Sequence, residues 1–301
     1  MSKRNIQSSE VLLNSIIMKN YIITIICVLC LVSCGEPSKP VGMSPRIFRN
    51  TPAWNAVKAI MKDDTCKLDK ELRKNPELKT LVDPYYGSTI LHMAILNNKI
   101  KSTEKLLKFG FDPNFIDDSL NWTRTNAVIE AVKYVSVSPK ILELVLKYGG
   151  DPNSFQEYQK CGNEIIEFNK PAISFAAANS LDKVRLLVEY GAQVNPPKGV
   201  TPVKMAASLN IEVLLFLLEH GADYNEHFEA INDSVEYKTV ADRIRCFIFP
   251  LDSKEYQCKL KVIDFLKKRG QDYYKTKIPK HTLRLIKDQY PETWEEYIKV
   301  Y

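Results

Sequence analysis

Cysteine and histidine are the residues of this sequence with the most distinctive chemistry, and their spacing limits what they can do. The chain of 301 residues has seven cysteines and four histidines. Three cysteines share one apolar run and the other four are scattered, Cys27, Cys30 and Cys34 against Cys66, Cys161, Cys246 and Cys258. Zinc sites are built from cysteine and histidine at short, regular spacings. We therefore expect no metal site.

The sequence carries none of the short motifs that mark common enzymes. No GxSxG, Walker loop, HExxH or GxGxxG after a strand is present. Each of these motifs places a nucleophile, a phosphate cradle or a metal ligand at a fixed spacing. We therefore expect no catalytic activity, no cofactor and no small-molecule substrate.

An apolar run near the N-terminus predicts a targeting signal. Residues 21–33 carry no charge, and Lys19 precedes them. A membrane-spanning helix needs about 20 apolar residues, whereas a run of this length fits the apolar region of a signal peptide.

The end of this run, Leu31-Val32-Ser33-Cys34, resembles the lipobox of bacterial lipoproteins. The resemblance implies removal of residues 1–33 as a signal peptide and acylation of Cys34. Gly35 is similar to the residue that follows the cysteine in lipoproteins sent to the outer membrane. Several acyl chains anchor a protein stably. The alternative is an ordinary secretory signal in which the cysteines are incidental.

Two internal methionines bear on where translation starts. A signal that begins at Met18 is complete, so Met18 is a candidate for the working start. Initiation at Met43 would give a cytosolic form without the signal. Residues 34–50, rich in proline, serine and glycine, predict a flexible tether between the lipid and the folded part.

One pattern then recurs along the chain. Compare STILHMAILNNKIKSTEKLLKFGFDPN, PAISFAAANSLDKVRLLVEYGAQVN and TPVKMAASLNIEVLLFLLEHGADYN. Each copy has a short helix with alanine, a polar turn, a second helix with a Leu-Leu pair, and a glycine that ends it. These stretches resemble ankyrin repeats. The resemblance implies an all-α ankyrin-repeat solenoid of about six repeats over residues 51–275, with an N-terminal cap and a C-terminal helical cap at 276–301.

Residue types explain the repeat. Small alanines at Ala94, Ala176 and Ala206 let paired helices approach, and the leucine pairs cover the neighbouring repeat. Gly110, Gly149, Gly191 and Gly221 are expected to end the second helices in a left-handed conformation. In the ankyrin pattern, His92 bonds to its local turn and His220 faces solvent.

The alanines Ala94, Ala131, Ala176 and Ala206 are 37, 45 and 30 residues apart, against a repeat of about 33. The excess residues fall in two connecting fingers, FIDDSLNWTRT and SFQEYQKCGNEIIEFNK. Ankyrin proteins bind partners through the exposed position of each first helix and through these fingers. Carried onto this chain, the partner-binding residues are Met93, Glu130, Phe175, Met205 and Arg243 on the helices, and Tyr85, Tyr86, Trp122, Arg124, Tyr158 and Lys198 on the fingers.

Export would place the cysteines in an oxidising compartment. Cys246 falls near the end of one predicted helix and Cys258 near the start of its partner, so a disulfide between them is one expectation and free thiols are the other. The net charge of +6 is mild, which disfavours nucleic acid and is compatible with an acidic protein or anionic lipid.

The combination of an anchor, a repeat array and no catalytic motif resembles the immunity proteins that accompany lipase effectors of type VI secretion systems. The resemblance implies a periplasmic, membrane-anchored protein that binds a secreted lipase toxin and neutralises it. The alternative is a general periplasmic scaffold or protection protein, for example in oxidative defence. An enzyme that uses the fold as a platform is the least favoured interpretation.

Overall fold

A computed structural model describes residues 44–117, 124–161, 164–228 and 239–301, without the side chains of residues 159–167. The predicted signal peptide, the predicted acylation site Cys34, the candidate starts Met18 and Met43, and Trp122 lie outside the described residues. Fourteen α-helices lie within them: α1 (Trp54–Met61), α2 (Thr65–Lys74), α3 (Ile90–Leu96), α4 (Ile100–Lys108), α5 (Ala127–Lys133), α6 (Pro139–Lys147), α7 (Ala172–Asn179), α8 (Leu181–Glu189), α9 (Pro202–Leu209), α10 (Ile211–Glu219), α11 (Val240–Arg243), α12 (Lys254–Lys267), α13 (Lys280–Gln289) and α14 (Trp294–Val300).

The first twelve helices form six pairs that stack in chain order. In each of the first five pairs the two helices pack on each other, first helices pack on first helices, and second helices on second helices. In the sixth pair, α11 is short and continues into a 3-10 helix, Ile244–Cys246, before α12 packs on α10. One apolar core runs through the stack from Ile47 to Tyr273, within the compact unit Gly42–Tyr301.

The predicted packing residues occupy this core. Ala94, Ala176 and Ala206 are fully buried, as are Leu106, Leu187 and Leu217. The four glycines predicted to end second helices have φ between 86° and 94°. His92 accepts a hydrogen bond at Nδ1 from the Thr89 N–H, 3.3 Å away, which completes a capping box at the start of α3. Burial lowers the pKa of His92 to about 4.

At three successive junctions of the stack, an asparagine links one helix pair to the next. Asn114 Nδ2 donates to the carbonyl of Gly149 and its Oδ1 accepts from the N–H of Asp151, both at 2.8 Å. Asn153 makes the same two bonds to Gly191 and Gln193, and Asn195 makes them to Gly221 and Asp223. Gly149, Gly191 and Gly221, which end second helices, are thereby tied to the preceding pair.

Folded structure begins earlier than the predicted tether allows. Residues Pro45–Phe48 form a 3-10 helix that packs on α1, and Ile47 and Phe48 are buried. The prediction of a flexible tether over residues 34–50 is therefore wrong from Pro45 onward. The physical reason is that these two apolar side chains cover the open end of the first helix pair, which burial favours.

The expectation of an all-α fold is wrong at the second finger. Phe155–Cys161 and Glu164–Pro171 form strands β1 and β2 of an antiparallel hairpin, with Phe155 opposite Pro171 and Tyr158 opposite Glu167. Aromatic and β-branched residues favour strands here, and the Gly162-Asn163 dipeptide between the strands has the composition of a hairpin turn.

The chain closes with α13 and α14, which form a small separate core of Ile286, Tyr297 and Tyr301. Cys246 and Cys258 are free thiols in this region, so the expected disulfide between them is not formed. The neighbouring residues join the two segments instead, because Lys259 Nζ donates to the carbonyl of Phe247 at 2.8 Å.

Candidate protein-binding surface

Three of the five first-helix positions are buried, which contradicts their predicted exposure. Met93, Glu130 and Phe175 are 0%, 6% and 7% exposed. Neighbouring first helices pack against α3 around Met93, and the hairpin covers Phe175. Met205 and Arg243 remain half-buried, and Arg243 Nε donates to the hydroxyl of Ser208 at 3.0 Å.

The hairpin builds a positively charged aromatic site over the first helices. The Phe168 ring of β2 lies 5.8 Å from the Phe175 ring of α7, and Lys133 Nζ of α5 lies 4.2 Å from the Phe168 centroid. Lys133 also donates to Gln156 Oε1 of β1 at 3.4 Å, and Lys170 Nζ lies 5.7 Å from the Phe175 centroid. We name Lys133, Gln156, Phe168, Lys170 and Phe175 the Lys133 cluster.

Burial controls the charges of this cluster. Glu130 lies one turn before Lys133 in α5, and burial raises the pKa of its carboxyl although the Lys133 ammonium opposes that shift. Burial lowers the pKa of Lys133, which Glu130 in turn opposes. Cations over aromatic faces are stabilised by the ring quadrupole. The cluster therefore combines two half-buried lysines with the half-buried Phe168 ring, which covers Phe175, and it suits an acidic group on a partner.

The structure brings further finger residues together beside the hairpin. Arg124 donates to the Tyr158 hydroxyl at 3.3 Å and its guanidinium lies 5.5 Å from that ring. Lys198 Nζ lies 4.3 Å from the Phe155 centroid and 3.5 Å from a Glu157 carboxylate oxygen. Arg124 and Lys198, which the sequence predicts as finger residues, therefore both contact strand β1.

A cavity of about 220 Å³ lies at the base of the hairpin. Its walls are largely apolar and include Phe155, Pro171, Ile173, Pro196 and Pro197. Apolar pockets of this kind accept large side chains at protein interfaces.

Close packing fixes the hairpin on the fold. Asn169 accepts a hydrogen bond at its carbonyl from the N–H of Val200 at 2.7 Å. At Gly199, φ is 83°, and a Cβ there would lie 2.4 Å from that same carbonyl and 2.6 Å from the Phe155 ring. Only glycine fits this approach, so the hairpin depends on it.

Tyr85 and Tyr86 lie elsewhere, in the turn before α3. Their backbone N–H groups both donate to one oxygen of buried Asp83, at 2.8 Å, and their side chains are half-buried. The sequence reasoning missed Lys133, Gln156, Phe168 and Lys170. The β-branched and aromatic residues Ile165, Ile166 and Phe168 in EIIEFNKP were the signal that could have revealed a strand there.

Within the described residues, no group of three or more histidine, cysteine or acidic residues is placed to hold a metal ion. None of the helices in the described part of the chain has the length and apolarity needed to cross a membrane.

Comparison with known proteins agrees with the repeat pattern. Residues 155–227 match the family model described as ankyrin repeats (3 copies), a segment that starts at the hairpin and ends after α10. No curated protein matches the chain. Ankyrin repeats are typically non-catalytic and bind other proteins, and the stacked helix pairs fit an ankyrin solenoid. The chain thus contains ankyrin repeats at residues 155–227, and they indicate a protein–protein interaction module.

Proposed function

We propose that this chain is a membrane-anchored immunity protein that binds and neutralises a cognate type VI secretion toxin of the phospholipase or lipase class. The lipobox-like sequence at Cys34 would hold it in the periplasm, on the outer membrane. Tethering raises the effective concentration of an inhibitor at the membrane that such a toxin attacks. A form that starts at Met43 would meet the toxin in the cytosol of the producing cell.

The observation that carries this proposal is the hairpin, which converts the first-helix face into a shaped, charged surface. The Lys133 cluster offers positive charge over aromatic rings, and the adjoining cavity offers an apolar pocket. Tyrosine, phenylalanine and arginine at such surfaces supply much of the binding energy of protein complexes. The toxin would contribute an acidic group to the cluster and an apolar side chain to the cavity.

Co-expression tests the function directly. A lipase gene adjacent to this one would be expressed in the periplasm of a sensitive host, with and without this protein. We expect the protein to restore growth, and Cys34→Ala to weaken protection because the inhibitor leaves the membrane. Equal toxicity with and without the protein would refute the immunity function and favour a periplasmic scaffold.

Surface variants test where the partner binds. Lys133→Glu combined with Phe168→Ala should weaken toxin capture by about 30-fold or more, since loss of an interface hot spot costs about 2 kcal/mol or more. Lys140→Glu is the control, because Lys140 is exposed on α6, where its Nζ lies 2.8 Å from a Glu143 carboxylate oxygen. Unchanged capture by the double variant would show that the Lys133 cluster does not bind the toxin.

A glycine pair tests the hairpin without altering any side chain of the cluster. Gly199→Ala should displace the hairpin and weaken capture, because its Cβ would collide with Asn169 and Phe155. Gly191→Ala has the same left-handed φ but nothing within 4 Å of the added atom. If both variants lose capture equally, backbone strain alone explains the effect and the hairpin has no special role.

A further inference from the structure

A groove between α1 and α2 is lined by lysines. Its volume is about 400 Å³, and its walls are completed by Asn55, Ala59 and Glu71. The five lysines, all exposed, are Lys58, Lys62, Lys67, Lys70 and Lys74. We name this feature the lysine groove.

Few acidic groups neutralise the lysine groove. Lys67 pairs with Asp64 at 3.6 Å and Lys74 with Glu71 at 3.5 Å, and both lysine side chains stay about two-thirds exposed. Surface pairs of this kind contribute little free energy. In the described part of the chain, no carboxylate lies within ion-pair distance of Lys58, Lys62 or Lys70, whose charges therefore remain available.

The groove lies in the basic part of an otherwise balanced chain. Residues 44–108, which hold the first two helix pairs, contain thirteen lysines and arginines against seven acidic residues. Residues 109–301 contain 25 basic and 27 acidic residues. Charge separation on this scale orients a protein in an electric field, such as that of an anionic surface.

Two arginines at the N-terminal end of the described residues add to the positive charge of this region. The 3-10 helix Pro45–Phe48 packs on α1, and both Arg46 within it and Arg49 directly after it are exposed. The groove itself contains lysine and no arginine or aromatic ring. Nucleic-acid sites combine phosphate contacts with stacking or bidentate groups. Lysine ammoniums on flexible stems instead suit a dense layer of mobile headgroup phosphates.

We propose that the lysine groove docks the folded part of this protein onto the anionic phospholipid surface of a membrane. Docking through the first helix pair would use residues other than those of the Lys133 cluster, which lies on α5, α7 and the hairpin. The inference does not depend on toxin binding.

The test uses the chain from Met43 onward, which lacks the apolar run and Cys34 and contains the compact unit with its continuous core. Flotation would compare vesicles of phosphatidylcholine with vesicles that also contain phosphatidylglycerol. We expect binding to the anionic vesicles only, and weaker binding as salt is added. Lys62→Gln with Lys70→Gln should reduce the partition coefficient by roughly 20-fold, since each lysine near an anionic surface contributes about fivefold.

The matched control is Lys267→Gln with Lys268→Gln, which removes the same charge from exposed positions at the end of α12. We expect less than a threefold change. Equal loss of vesicle binding in both double variants would show that net charge alone causes the effect, and it would overturn the proposal. Equal binding of the protein to neutral and anionic vesicles would also overturn it. Inorganic phosphate at matched ionic strength should not displace the protein; displacement would indicate a site for single phosphates.

A second measurement uses the full chain, held on vesicles by its N-terminus. Cys66 is exposed on α2, one turn before Lys70. Its alkylation, followed by peptide mass spectrometry, should be several-fold slower on phosphatidylglycerol vesicles than on neutral ones. Equal rates would overturn the proposal. Toxin capture in solution should be unchanged by the groove variants, so failure here and failure of the immunity function are distinguishable.

Discussion

The middle helix pairs and the C-terminal end of the molecule are held together in different ways. Between Ile90 and Asn225, neighbouring pairs are joined by one device used repeatedly, an asparagine that bridges to the next glycine. The C-terminal end, from Thr239 to Tyr301, is joined by a single buried cluster that occurs once. The repeated bridges give the junctions between these pairs a similar stability, whereas the single cluster concentrates the stability of the C-terminal end in a few residues.

The C-terminal cluster buries the side chains of Arg245 and Lys259 among tyrosines. Arg245 donates to the Thr276 hydroxyl and to the carbonyls of Tyr301 and Tyr273, at 3.0, 3.1 and 2.9 Å. Lys259 Nζ lies 3.6 Å from the Tyr301 ring centroid. The hydrogen-bond partners of both side chains are hydroxyl and main-chain oxygens, and the Arg245 charge also lies over the Tyr273 ring, 3.7 Å from its centroid. Because the asparagine bridges are repeated, loss of one bridge should destabilise the middle of the stack only slightly. Because the C-terminal cluster is buried and occurs once, loss of one of its residues should destabilise that end strongly.

Removal of Arg245 should give the largest effect. Arg245→Met leaves two buried carbonyls and the Thr276 hydroxyl without their donor, and each such group costs about 1–3 kcal/mol. We expect a loss of about 3–5 kcal/mol in the free energy of unfolding, measured by urea denaturation. Arg269→Met is the control, because that side chain is exposed over the Phe265 ring, and it should cost less than about 1 kcal/mol. Similar losses in the free energy of unfolding of the two variants would mean that buried Arg245 stabilises the fold no more than an exposed arginine does.

Lys259 should make the C-terminal end sensitive to pH. Burial, assisted by the nearby Arg245 charge, lowers the pKa of Lys259 to about 6, from 10.5. Between these values the unfolded chain binds a proton that the folded chain does not. Stability should therefore rise from pH 7 to pH 9, by up to about 1.4 kcal/mol per pH unit.

Denaturation of the wild type and Lys259→Met at several pH values separates this contribution from that of other groups. The variant should lose most of the pH dependence in this range. A slope that survives the substitution would show that Lys259 is not the titrating group.

Loss of one asparagine bridge should have the smallest effect. Asn195→Ala removes bonds of 2.9 Å to the Gly221 carbonyl and to the Asp223 N–H, both in exposed positions. We expect a loss of about 1 kcal/mol in the free energy of unfolding, because water replaces part of each hydrogen bond. Asn225→Ala is the matched control: the only described hydrogen bond of Asn225 comes from its backbone N–H to Asp223. A loss of 3 kcal/mol or more at Asn195 would contradict the tolerance assigned to the middle pairs.

Sequence reasoning succeeded where the cause of structure is local and repeated. The alanines, the leucine pairs and the helix-ending glycines recur at a readable spacing, and the structure places them as expected. It failed for Met93, Glu130 and Phe175, whose exposure depends on what packs over them from other parts of the chain. Phe175 is covered by Phe168, and the sequence predicts only a connecting finger for the insertion that holds Phe168.

The sequence by itself determined the stacked helix pairs, because each turn, cap and apolar face is specified within a few residues. Only the tertiary structure decided which surface is available for binding. The contact of Lys133 with Phe168 joins residues 35 positions apart, the lysine groove forms only where α1 meets α2, and the burial of Arg245 requires Tyr301. Such features follow from long-range packing, which no local pattern of residue types records.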